Sequence, residues 1–405
     1  MSRDLRIAFF PDSYLEVNGA AMTCRRLVDH ARDNGWELLC IHAAPESGET
    51  SDGSVTHFSF KRSLLSFSLD HGLSYDPLFM RHYRRAQARL LEFKPDVIHI
   101  TGLNDVSILG AVLAWQHKIP MVGSWHTNIH EFAATRLRKM FSFLPAGIRE
   151  GIANLAERKI MDGSGFYYKM PKVILAPNQE LVDDLARRTG RISRLMARGI
   201  DSEFFDPAKR TVSDDVVRIG FVGRLRAEKN VRLLADIERR LIENGLTGFE
   251  FLIVGEGNER SYLESSMRHV RFTGYLEGEP LAEAYANMDV FVFPSETDAF
   301  GNVAQEAMAS GAPPIVSDKG GPKYAVDHGR TGFVASNLDE FAEYATRLIQ
   351  DGELRTAMAR AGREFALTRT WESIFDGVYH AYETALELAR AQDGRSAAKN
   401  AVSAG

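Results

Sequence analysis

The sequence predicts an α/β protein built from two doubly wound, parallel-sheet domains. Three observations predict it. Short β-rich apolar runs alternate with longer segments of helical period, the pattern of βαβ units. That alternation breaks at a polar stretch, residues 205–215, interrupted by Pro207, and then restarts. The chain has 405 residues, and at about 150 residues per domain that is enough for two or three proper cores.

In the first half, residues 5–10 read as a strand, 20–34 as a helix and 37–42 as the next strand. A strand at 97–101, a helix over 105–117 and strands at 121–124 and 173–176 follow, the last leading into a helix from Gln179. The second half restarts with strands at 218–222, 249–254, 270–274, 290–293 and 314–317, with helices between. Each half is therefore expected to form its own doubly wound α/β domain, 1–207 and 208–370. A final helix over 371–392 carries Ile374, Val378, Ala381, Tyr382, Ala385 and Leu388 at helical spacing, a stripe that needs a packing partner. Residues 393–405 are small and polar and are expected to form a frayed tail.

Composition narrows the function classes. Apolar residues are 44% and charged residues 25%, ordinary for a soluble globular protein. The 49 basic and 54 acidic side chains leave a net charge of −5, which does not favour a nucleic-acid partner. Two cysteines, Cys24 and Cys40, make no disulfide framework and fit a reducing compartment. The short apolar run behind Met1 lacks the core of a signal peptide, and no run reaches a membrane span, so a cytoplasmic protein is expected. Basic residues concentrate in two segments, 61–94 and 136–159, the second interleaved with Phe141, Phe143, Leu144 and Ile148. These read either as solvated faces over core residues or as a peripheral docking surface for anionic lipid, at the inner face of the plasma membrane.

In open α/β sheets ligands bind at the carboxyl ends of strands, so the residues just after strands carry the chemistry. After the first strand, Asn18-Gly19 permits a tight turn into a helix whose amides suit an anion. After the strand at 121–124, Trp125-His126-Thr127 places a histidine at the mouth of a cleft. His126 and His130 are spaced i,i+4 but lack the internal Glu of a zinc-protease helix, so no metal site is read there. After the strand at 218–222, Gly223-Arg224 and Lys229-Asn230 lead into a helix, which reads either as a diphosphate site of two point charges and helix-dipole amides or as solvated surface cations. Gly255-Glu256-Gly257 begins like a dinucleotide fingerprint but has Arg260 where a glycine is needed, which disfavours NAD. The most specific run, 294–311, puts Asp298 in a loop and Glu306 about two turns into the next helix, so that both carboxylates can face one ligand and accept from sugar or ribose hydroxyls.

Taken with Gly223-Arg224, Lys229-Asn230, Trp125-His126-Thr127 and Ala197-Arg198-Gly199-Ile200-Asp201, this run resembles the retaining GT-B glycosyltransferases of family 4, within the glycogen-synthase-like superfamily. The motifs occur in the expected order and span nearly the whole chain. The resemblance implies two Rossmann-like domains facing a central cleft, with a nucleotide-diphosphate sugar held mainly by the second, and a last helix that crosses back to the first. It implies that Arg224 and Lys229 are the donor-diphosphate cations and His126 the cleft histidine touching the donor sugar. Glu306 is implied as the ribose ligand, Phe300, Gly301 and Asn302 as backbone contacts to the sugar, and Gly19 as the first-domain glycine near the phosphates.

Two departures stand out. The family's first acidic residue is usually Glu, whereas here it is Asp298. Its Asp-x-Phe-Gly-Asn setting is similar to the branch of GDP-mannose-dependent mannosyltransferases and glycolipid synthases. Asn178-Gln179-Glu180 also replaces a common Pro-Ser. The resemblance implies a hexose moved from GDP-mannose or a UDP-hexose to a hydroxyl acceptor, a glycolipid among the candidates, with no cofactor and no essential metal. The absence of Asp-x-Asp agrees with that. An epimerase-like enzyme of the same fold and a non-catalytic sugar-nucleotide-binding protein are the alternatives.

Overall fold

The computed structural model describes residues 5–403 apart from 17, 71, 72, 126–162, 164–166 and 299. It divides into two compact units. One comprises residues 1–197 and 374–405, the other 198–373.

The first unit is built on an eight-stranded sheet. Its strands are β1 (Ile7–Phe10), β2 (Leu38–Ala44), β3 (Gly48–Asp52), β4 (Val55–Lys61), β7 (Val97–Ile100), β8 (Met121–Ser124), β9 (Val173–Ala176) and β10 (Ile192–Leu195), with a separate pair, β5 (Phe67–Asp70) and β6 (Leu73–Tyr75), between them in sequence. The order is β10-β9-β8-β7-β1-β2-β4-β3, parallel except for the antiparallel edge strand β3. The central strands β1, β7, β8 and β9 are buried at every residue, as expected of strands covered on both faces. The chain winds outward one way through β2 and the other way through β7. The switch point therefore lies between β1 and β7.

The second unit repeats the device with β11 (Val217–Val222), β12 (Phe249–Val254), β13 (Val270–Gly274), β14 (Val290–Phe293), β15 (Pro314–Ser317) and β16 (Phe333–Ala335). The order is β13-β12-β11-β14-β15-β16, all parallel, and the switch point lies between β11 and β14.

Sequence reading located the interior strands other than β4, together with the edge β13, and missed the edges β3, β10 and β16. β3 is exposed throughout as Gly-Glu-Thr-Ser-Asp, and β10 has no fully buried residue, so neither carries an apolar run. The seam also differs from the expected 207/208. Residues 198–207 pack with the second unit because Arg363 donates to the carbonyls of Ser202 (2.9 Å) and Phe205 (2.6 Å) and to the Asp206 carboxylate (2.7 Å).

The last helix runs Trp371–Ser403, beyond the expected end at 392, so the tail expected to fray is helical to Ser403. From Ile374 it belongs to the first unit. Val378, Ala381, Tyr382 and Ala385 of the expected stripe are buried, joined by Phe375 and Tyr379, while Leu388 stays exposed. Tyr379 packs 4.0 Å from Trp36 between ring centres. Tyr382 meets His99 Nδ1 at 2.7 Å, and His99 Nε2 meets Ser124 Oγ at 2.9 Å, so a fully buried histidine ties the helix to the end of β8. Burial pushes the His99 pKa down to about 3.

Candidate functional site

In the second unit the strands fix three loops at their carboxyl ends, after β11, β14 and β15. β11 ends at Val222 and is followed by Gly223, whose amide donates to Val254 O (3.0 Å). The loop after β12 lies directly against it. A Cβ on Gly255 would fall 2.0 Å from Gly223 O, and one on Gly257 2.1 Å from Leu225 O. Leu225 N donates to Glu256 O (2.9 Å), and Glu259 N to Leu225 O (3.0 Å). The glycine pair that resembled a dinucleotide fingerprint is thus a backbone-to-backbone seat for the turn that carries Arg224.

That turn continues as a short 3-10 segment, Ala227–Lys229, and the helix proper begins only at Arg232. Leu233 N and Leu234 N already donate to Asn230 O and Val231 O, both at 3.1 Å. The expected helix-dipole amides are therefore largely engaged within the chain, and the positive charge of this corner rests on side chains. Lys229 is mostly buried, with Nζ 2.6 and 2.7 Å from the two oxygens of Asp298. Arg224 is far more exposed, 3.9 Å from Glu228.

The loop after β14 carries Asp298, and its shape is set by the loop after β15. Gly321 N donates to Asp298 O at 2.6 Å. Gly320 has φ +72° and a position where a Cβ would sit 2.7 Å from Glu296 O. Gly301 has φ +81°, and a Cβ there would meet Pro322 Cγ at 2.7 Å, so only glycine fits on both counts. Thr297 Oγ1 donates to Glu228 O (3.2 Å), which joins this loop to the one after β11. Phe300 is buried, and the half-buried Asn302 begins the helix Asn302–Ala309.

On that helix Glu306 accepts a 2.7 Å hydrogen bond from Tyr285 Oη, on the helix Glu279–Ala286. Burial pushes the Glu306 carboxyl up, and the Tyr285 hydrogen bond opposes that. The two carboxylates expected to face one ligand are thus differently engaged, Asp298 by a lysine and Glu306 by a tyrosine. Tyr285, Gly320 and Gly321 were missed in the sequence. Tyr285 reads there as one more helical core aromatic, and the two glycines as an ordinary turn.

In the first unit, Asn18-Gly19 is not a tight turn. Asn18 is extended and caps the helix Gly19–Asp33, its Oδ1 accepting from Ala21 N at 2.8 Å, and Gly19 is the first helical residue. Nearby at the switch point, buried Asp12 accepts from Asn104 N (3.0 Å) and Ser107 N (2.8 Å), stitching the loops after β1 and β7. Burial pushes its pKa up to about 7 against those hydrogen bonds. Asn178 likewise caps a helix, accepting from Leu181 N at 2.9 Å, which gives the departure from Pro-Ser a local reason. His126 and the basic segment 136–159 lie outside the described residues. Among the described residues, no three His, Cys, Asp or Glu side chains gather as a metal site.

Comparison with known proteins bears on both units. Residues 17–204 match the family described as Glycosyltransferase Family 4, and residues 216–351 the family described as Glycosyl transferases group 1. The chain is 32% identical to a GDP-mannose-dependent alpha-mannosyltransferase of Mycolicibacterium smegmatis, over 94% of this chain and 98% of that one. It is 30% identical to a protein of the same description from Corynebacterium glutamicum, over 96% and 91%. In three dimensions it is similar to the sucrose-phosphate synthase of Thermosynechococcus elongatus, with a TM-score of 0.69 at 17% identity, over 93% of this chain and 98% of that one.

Proposed function

The chain belongs to glycosyltransferase family 4 and has the GT-B fold, and on that footing we propose that it moves mannose from GDP-mannose to a hydroxyl acceptor with retention and without a metal. The observation that carries the reading is the Lys229–Asp298 pair at the switch point between β11 and β14. Ligands of doubly wound sheets sit at such a point. Here a lysine that is largely withdrawn from water is held by both oxygens of one carboxylate, and Arg224 stands more exposed on the same turn.

Cleavage of the bond between the sugar and the diphosphate builds negative charge on the departing oxygen. Lys229 and Arg224 would stabilise that charge as it develops, which lowers the barrier instead of merely tightening the ground state. Glu306, oriented by Tyr285, would accept from the ribose hydroxyls. Attack by the acceptor hydroxyl on the same face of the sugar would retain its configuration. GDP-mannose is favoured over UDP-hexoses by the two mannosyltransferase relatives and by Asp298 in its Asp-x-Phe-Gly-Asn setting. A glycolipid acceptor is favoured by the exposed basic and apolar segment around residues 61–94.

Thermal-shift titration with GDP-mannose, UDP-glucose and UDP-galactose tests the donor, since a matched ligand stabilises by mass action. The largest shift is expected with GDP-mannose, and an absent response to every sugar nucleotide would overturn the reading. The anomeric coupling of the product, and turnover with and without EDTA, test retention and metal independence.

A further inference from the structure

Residues 62–70 and 73–82 of the first unit form an excursion between β4 and the helix Tyr83–Phe93, at the carboxyl end of the sheet. Its interior is polar. Asp76, almost fully buried, accepts from Ser63 N and Ser63 Oγ (both 2.6 Å), from Leu78 N (2.9 Å) and from Arg81 (2.6 Å). Asp76 N in turn donates to the buried carboxylate of Asp105 (2.9 Å), which also receives both arms of Arg62 (3.0 and 3.1 Å). Asn104 Nδ2 ties in the strand pair through Ser74 O at 2.7 Å.

Its exterior is apolar. Leu64 is fully exposed, with Leu65 at 63%, Phe67 at 53%, Leu78 at 49% and Met80 at 39%. Five of the fifteen exposed large apolar side chains among the described residues fall in this one short excursion. A loop adapted only to water does the reverse, with leucines inward and carboxylates outward. The buried Asp76–Asp105 hub holds an ordered shape that keeps its leucines in solvent. Scattered exposed leucines need no explanation, but a cluster on an ordered frame marks a contact surface.

Charge indicates what it contacts. The segment 61–94 carries seven basic and three acidic side chains. Arg62 and Arg81 are engaged by the buried hub, Lys61 pairs with Glu46 and Arg89 with Glu49, and Arg84 and Arg85 are exposed immediately beyond Met80, Arg85 with its guanidinium 5.5 Å from the Phe60 ring centre. Apolar tips beside arginines suit the boundary between acyl chains and anionic headgroups. No helix among the described residues is long and apolar enough to cross a membrane.

We propose that residues 62–70 and 73–82 are a membrane-docking knuckle that inserts Leu64, Leu65 and Phe67 into the surface of an anionic bilayer, with Arg84 against its headgroups. It deepens the glycolipid part of the proposed function by naming the surface that would bring the enzyme to a lipid acceptor. Vesicle binding and donor turnover are separate readouts, so failure of one leaves the other standing.

Flotation of the full chain with phosphatidylcholine vesicles, and with mixed phosphatidylcholine–phosphatidylglycerol vesicles, tests it. Binding is expected to the mixed vesicles and to weaken as salt rises. Each inserted leucine contributes roughly a tenfold change in partition, so the double variant Leu64→Ser, Leu65→Ser should bind about a hundredfold more weakly. Arg84→Glu should weaken binding severalfold, and Leu367→Ser, an exposed leucine of the second unit, should leave it unchanged. All four side chains are exposed, and an unaltered melting curve confirms that the variants fold. Absence of binding at low salt overturns the proposal, as does equal binding by the double variant. A dimer in sedimentation equilibrium that this double variant dissolves, without vesicle binding, also overturns it by making a second copy the occupant.

Discussion

Lys229 and Asp298 stand 69 residues apart in sequence and meet in space, the lysine Nζ lying 2.6 and 2.7 Å from the two carboxylate oxygens. In the proposed function, the cation offered to the donor diphosphate is held in place by a carboxylate that would also repel that diphosphate.

That opposition has a measurable sign. Asp298→Asn keeps the shape and removes one negative charge beside the proposed diphosphate site, so GDP alone should bind tighter by on the order of tenfold. Lys229→Ala should lower turnover by about 10²–10³-fold, the usual effect of deleting a transition-state donor. Calorimetric titration of GDP and steady-state rates check the two. An unchanged GDP affinity in Asp298→Asn would place the carboxylate outside the diphosphate's field.

Tyr285→Phe removes the hydrogen bond to Glu306, which favours the charged carboxylate. The Glu306 pKa, already raised by burial, should rise further. Donor affinity falls as pH drops through that pKa, because a protonated carboxyl accepts less well from ribose hydroxyls. The variant should therefore lose donor affinity at a higher pH than wild type. Superimposable affinity–pH curves would remove Glu306 from the donor site.

Asp12 gives a stability signature. Its pKa is raised to about 7 by burial, from an ordinary value near 4. The folded state thus binds more protons than the unfolded one between about pH 4 and 7, and stability falls as pH rises through that window. The loss is on the order of a few kcal/mol. Asp12→Asn should be less stable at low pH, because an amide cannot accept from both Asn104 N and Ser107 N, yet it should lack this slope. Melting temperatures of both proteins across pH 4–8 decide it.

Tyr382→Phe should cost about 1–2 kcal/mol in urea unfolding, since it strips a partner from fully buried His99. Because His99 has a folded pKa depressed to about 3, the stability it contributes is present above pH ~6.5 and lost as pH falls below that value.

Gly301→Ala and Gly255→Ala should both destabilise, the second more. The contact at 301 would be 2.7 Å from the Pro322 ring, whereas that at 255 would be a closer 2.0 Å from a backbone oxygen. Denaturant midpoints, with GDP thermal shift as a second readout, check the order.

The sequence by itself determined the parallel sheets. β14, all Val and Phe, and the Phe251–Val254 part of β12 are continuous apolar runs because both faces are covered, and burial of that kind is written locally. It also placed Arg224, Lys229, Asp298 and Glu306 after strands, where doubly wound sheets bind ligands. The edges β3 and β10, the helical continuation to Ser403 and the seam at 197/198 were not legible, because no local apolar pattern marks them. Only the tertiary structure decided that Lys229 is clamped by Asp298, that Glu306 answers to Tyr285, and that the excursion carrying Leu64, Leu65 and Phe67 is built on the buried carboxylates Asp76 and Asp105. Such pairings join residues distant in the chain, and their energies depend on distance and burial, which the fold sets and the order of residues does not state.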